Sequence, residues 1–122
     1  MKRILLIAAL LLPTTALASD PSIAAKAMVD ADMTAIVAHR LCGRAIGLPA
    51  LYDTYQTIML NDLLAGGKSR SDAVLIVDQV RTDAERRKDY IGDYDTCRQI
   101  TSKASHDADV ARALFKKAAG LD

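Results

Sequence analysis

A chain of 122 residues with 16 Lys plus Arg, 15 Asp plus Glu and a formal charge of +1 has no basic excess of the kind a nucleic-acid surface needs. Its 51% apolar residues suffice for one small core. With two cysteines and two histidines, metal and redox chemistry are confined to very few arrangements.

The chain opens Met1-Lys2-Arg3, continues with the apolar run from Ile4 to Leu12, and reaches Ala16-Leu17-Ala18. A basic start, a short apolar stretch and a small-x-small exit describe a secretory signal peptide over residues 1–18, cleaved after Ala18. The run is shorter than the roughly twenty residues a membrane span requires. No cysteine follows it to carry a lipid anchor. The expected location is the periplasm or the exterior, with no membrane span once the signal is gone. Cleavage takes two of the sixteen basic residues, leaving fourteen against fifteen acids. Residues 19–122 are expected to form a single helical domain.

From Ile23 to about Ala45 the spacing predicts a helix. Val29, Met33, Ile36, Val37 and Leu41 recur at threes and fours as its buried stripe, with Ala38, Cys42, Ala45 and Ile46 beside them. Gly47 before Leu48-Pro49 is the expected stop. Pro49 suits the first turn of a second helix, which carries Tyr52, Tyr55, Met59 and Leu63 and ends at Gly66-Gly67. Ser69-Arg70-Ser71-Asp72 fits a capping pattern before a third helix with Ala73, Val77, Val80 and Ala84. Gly92 interrupts, and Asp93 caps a fourth helix bearing Tyr94, Cys97, Ile100 and Ala104. Polar Ser102 to Asp107 predicts a break. A last helix would then use Val110, Leu114 and Ala118, flanked by Ala111 and Phe115, and stop at Gly120. The expected fold is all-α, a bundle of four to five helices tied by one disulfide. Fourteen of the fifteen acids are aspartates, and Asp53, Asp72, Asp93 and Asp107 fall at expected helix starts, where this residue is favoured.

In an oxidising compartment two cysteines read as one bridge, Cys42 to Cys97. A redox pair would use C-x-x-C, which is absent. His39 and Cys42 lie one turn apart but lack further ligands for a metal, and no metal site is expected.

Complete reactive constellations are missing. His39, mid-helix beside Arg40, is expected to be partly exposed, and His106 to cap a helix start. Asp89, Asp93 and Asp95 are candidate paired carboxylates, and they read as caps of a helix junction. Asp93-x-Asp95 lacks the other ligands of a calcium loop. Gly66-Gly67-Lys68-Ser69 lacks the strand and upstream glycine of a phosphate-binding loop. No cofactor is expected, and the protein is read as not an enzyme.

Surface features remain. Arg86-Arg87-Lys88 is a basic cluster near Arg81, interleaved with Asp83, Glu85 and Asp89, so helical pairing uses much of its charge. Tyr90 and Tyr94 are candidate interface aromatics, while Tyr55 is expected in the core. Arg40 and Arg44 share a helix face. The bridge would bring Arg98 near them as a candidate anion contact, the basis of an alternative reading as a small exported enzyme or anion-binding protein.

The leading reading is an exported, non-catalytic protein that binds another protein of unknown identity. The layout of leader, small helical body and single bridge is broadly similar to periplasmic immunity proteins that block secreted cell-wall amidases. It is also similar to small acid-stress chaperones of the periplasm, which SRSDAVLIVDQV followed by a cysteine resembles over a dozen residues. These resemblances imply an inhibitor or a chaperone respectively, and no family is assigned from them.

Overall fold

The computed structural model describes residues 20–88 and 92–121. The expected signal peptide lies outside the described residues, as do Asp89 and Tyr90. Among the described residues there are four helices and no strand: α1 Pro21–Cys42, α2 Leu51–Ala65, α3 Arg70–Glu85 and α4 Tyr94–Ala118.

Local chemistry sets the ends. Asp20 accepts from the Ser22 N–H, and Pro21 occupies the first turn of α1, where a missing N–H costs nothing. The expected caps form: Ser69 Oγ accepts from the Asp72 N–H at 3.2 Å, and Asp93 from the Thr96 N–H at 2.7 Å. Helix α2 begins two residues later than Pro49, at Leu51, after Ala50, with no side-chain cap. At its end Gly67 takes φ +99°, a conformation side chains resist. This lets the Lys68 N–H reach Leu63 O and the Gly67 N–H reach Leu64 O, which satisfies two orphan carbonyls.

Helix α1 lies at the centre and packs against the other three. Its neighbour α4 runs antiparallel to it: Cys42 meets Cys97, His39 meets Ser105, and Asp32 meets Arg112. The core gathers Ala35, Ile36 and Ala38 from α1, Tyr55, Met59 and Leu63 from α2, Ala73, Val80 and Ala84 from α3, and Ala104 and Ala108 from α4. Small residues dominate it on α3 and α4, which lets helix backbones approach closely.

Several expectations are corrected. Helix α1 buries Ile36, Ala38 and Cys42 as expected, but also Met28, Asp32, Ala35 and His39, while Val29, Val37 and Leu41 are half-buried and Met33 is 37% exposed. No break occurs at Ser102–Asp107; α4 continues through it because Ala104, Ser105 and Ala108 keep the inner face small and closely packed. His106 and Asp107 therefore lie mid-helix rather than at a cap. The inner face of α4 beyond that point carries Ala108 and Phe115, and Val110 and Leu114 are left exposed.

Candidate functional site

The bridge between Cys42 and Cys97 is present, with Cα atoms 5.1 Å apart and both residues buried. It joins the last residue of α1 to the first turn of α4. A disulfide, and the lack among the described residues of any helix long and apolar enough to cross a membrane, are compatible with an extracellular or periplasmic location.

One turn before Cys42, His39 is buried at 3% exposure rather than partly exposed. Its ring stacks on Tyr55 with centroids 4.8 Å apart and an interplanar angle of 14°. Nε2 lies 3.1 Å from Ser105 Oγ on α4, and Nδ1 is buried without a hydrogen-bond partner. Burial disfavours the imidazolium and lowers the pKa of His39. The contact puts a hydroxyl beside a potential base. It lacks the third group that would orient the ring and stabilise its charge. What Ser105 supplies is one partner for an imidazole that would otherwise have none.

Further along the same interface, a single guanidinium gathers three carboxylates. Arg112 donates from Nη2 to Asp32 Oδ1 at 3.0 Å, from Nε to Asp62 Oδ2 at 2.9 Å, and from Nη1 to Asp109 Oδ1 at 3.1 Å. Asp32 is fully buried on α1 and Asp62 nearly so on α2, whereas Asp109 is exposed on α4 itself. Desolvation, then the hydrogen bond and negative charge of Asp62, push Asp32 up to about 8, against the pull of Arg112. Burial opposes the charge on Arg112, but the carboxylates of Asp62, Asp32 and Asp109 more than offset it and raise its pKa. The cluster ties α1, α2 and α4 together, and its burial favours the protonated form of Asp32.

The arginines singled out by sequence do not line a common cavity: Arg40 is on α1 and Arg44 in the turn after it, past the helix end at Cys42, whereas Arg98 is on α4. Arg40 and Arg44 line an open cleft with Tyr52 and Glu85, and Arg98 lines another with Tyr94, Ser102 and Ser105. The His39 ring borders both. The Tyr52 hydroxyl lies 3.5 Å from Glu85 Oε1, so the first cleft carries an acid among its cations. In the basic cluster, Arg86 pairs with Asp83 at 3.8 Å and Arg81 with Asp78 at 3.0 Å, at i,i+3 spacing, while Arg87 and Lys88 are exposed. Tyr94 is 54% exposed, and Tyr55 is buried as expected. Among the described residues, no group of three or more His, Cys, Asp or Glu is placed to hold a metal.

An apolar cleft of about 430 Å³ runs between the start of α1 and the second half of α4. Ala24, Ala27 and Ala111 keep it open, and Ile23, Val110 and Leu114 border it at 47%, 44% and 56% exposure.

Fold and site together define an all-α protein with one bridge, a buried acid–arginine cluster and an exposed apolar cleft. No family model matches the chain, and no curated protein or solved structure matches it.

Proposed function

We propose that this protein is an exported, non-catalytic binding protein that receives an amphipathic helix of another protein in the α1–α4 cleft. The observation that carries the reading is the exposure of Ile23, Val110 and Leu114 around one trough whose other apolar members are alanines. Large ridges beside small residues accept the i, i+3, i+4 side chains of a docking helix. These three side chains are already about half buried, so covering the rest would contribute about 0.7–1.5 kcal/mol each.

Of the two modes the sequence suggests, stoichiometric inhibition fits a single trough that seats one helix of one partner. An acid-triggered chaperone must instead loosen as pH falls, a change that the buried His39 favours and the raised Asp32 opposes.

The test uses the oxidised protein as bait in extracts of its own cell envelope, with native mass spectrometry of the eluate. The expected result is one complex of fixed stoichiometry that Val110→Asp and Leu114→Asp abolish while helicity and melting are retained. Capture indifferent to both substitutions overturns the reading, as does suppression of client aggregation at low pH without any such complex.

A further inference from the structure

A second cleft, of about 360 Å³, opens between the first turns of α1, the end of α2 and α3. Ala25, Val29, Leu63 and Ile76 give it apolar walls, and Lys26 and Lys68 are its charged members; the other lining residues are uncharged. Charge sets it apart from two of the clefts described above, and its two ammonium groups and aliphatic walls from the third, which carries Arg98 among hydroxyl side chains. The α1–α4 cleft includes Asp107, and the Arg40–Arg44 cleft includes Glu85, whereas here both charged groups are ammonium. Lys26 does pair with Asp30 at 2.9 Å, but the two side chains are 79% and 52% exposed, so the pair is solvent-screened and exchanges at little cost. Lys68 is held beside Leu63 by its backbone N–H on Leu63 O at 3.0 Å, the bond that the Gly67 turn permits.

An apolar trough carrying two cations and no lining acid is complementary to a molecule with one anionic head and one hydrocarbon tail. The geometry points to a binding site for a monomeric medium-chain carboxylate, its chain against Ala25, Val29, Leu63 and Ile76 and its head between Lys26 and Lys68. The volume lies near the lower end of the roughly 300–1,000 Å³ typical of small-molecule sites, which suits a single unbranched chain and not a two-chain lipid. The site is separate from the α1–α4 cleft and does not rest on the protein-binding reading.

Calorimetric titration of the oxidised protein with decanoate, below its micellar concentration, tests the proposal, with decyltrimethylammonium as the head-group control. Decanoate should bind saturably with one site and more tightly than the cation. Lys26→Glu with Lys68→Glu should weaken decanoate at least several-fold and reverse the preference. Ala25→Phe, which fills the trough, should remove both. Equal affinity for the two head groups overturns the proposal. So does binding only to micelles or anionic vesicles, or decanoate binding that the lysine reversals leave unchanged. If Ala25→Phe does not fold, the lysine pair decides alone, since both positions are exposed.

Discussion

Arg112 donates to one carboxylate oxygen of Asp32 at 3.0 Å, while the other oxygen of Asp32 is buried without a donor, its acidic neighbour being Asp62. A half-satisfied buried carboxylate is costly in its charged form. Asp62 makes it costlier, because two acids then face one guanidinium across the α1–α2–α4 junction. Holding a proton on Asp32 relieves both costs.

Stability should therefore depend on pH in a direction opposite to ordinary acid denaturation. Asp32 binds its proton more tightly folded than unfolded. Its contribution is fully present below the unfolded value of 3.8 and is lost as pH rises to about 8. His39 acts in the reverse sense: its folded pKa is lowered, so its contribution is present above 6.5 and is lost as pH falls below that value. Between pH 6.5 and about 8, of these two groups, Asp32 alone sets the slope. Urea midpoints should fall across that window, and Asp32→Asn should flatten the fall. A flat wild-type profile there would mean that Asp32 is ionised throughout.

Substitutions in the cluster should be strongly unequal. Asp32→Asn swaps a protonated acid for an amide of the same shape and should cost under about 1.5 kcal/mol. Arg112→Ala leaves two buried acids facing each other without their cation and should cost about 3–5 kcal/mol. Equilibrium denaturation at neutral pH measures both. Equal costs would contradict the assignment of the proton to Asp32.

The His39–Ser105 contact yields a similar asymmetry. Ser105→Ala removes the sole hydrogen bond of a buried imidazole and should cost about 1–3 kcal/mol. His39→Phe keeps an aromatic ring against Tyr55 and deletes both polar nitrogens, so it should cost less than Ser105→Ala. In the double variant, Ser105→Ala should add almost nothing, a coupling that a double-mutant cycle reads directly. Additive costs would show that Ser105 matters for packing alone.

What the sequence made legible was what is local. Ser69 and Asp93 cap helices through bonds three residues long, and glycines end α2 and α4 where expected. The two cysteines had one possible pairing in this chain. Of the seven residues α1 buries, Ile36, Ala38 and Cys42 were legible as apolar positions, whereas Asp32 and His39 were not, because they are ionisable residues that hydropathy assigns to the surface. Their partners Arg112 and Ser105 lie 80 and 66 residues away, and no local pattern announces them. On α4 the inner face is made of Ala104, Ala108 and Phe115, so the larger Val110 and Leu114 attracted the core assignment although they face solvent. The same error hid the apolar cleft until the helix was placed.

The bridge should matter most where nothing else fastens α4. Its cysteines are 55 residues apart, and in the chain-entropy model closing such a loop stabilises the folded state by about 4 kcal/mol. That is a large share of the roughly 5–15 kcal/mol by which domains are stable. Cys42→Ala with Cys97→Ala should lower the urea midpoint accordingly. The loss should also be uneven along the helix. Residues 108–115 stay clamped by Arg112 to α1 and α2, whereas the turn around Cys97 loses its only covalent tie to α1. Native-state hydrogen exchange should accelerate more at 97–104 than at 108–115, as expected for sub-global opening of a partly fastened element. A uniform acceleration along α4 would instead place the whole effect of the bridge in the unfolded chain.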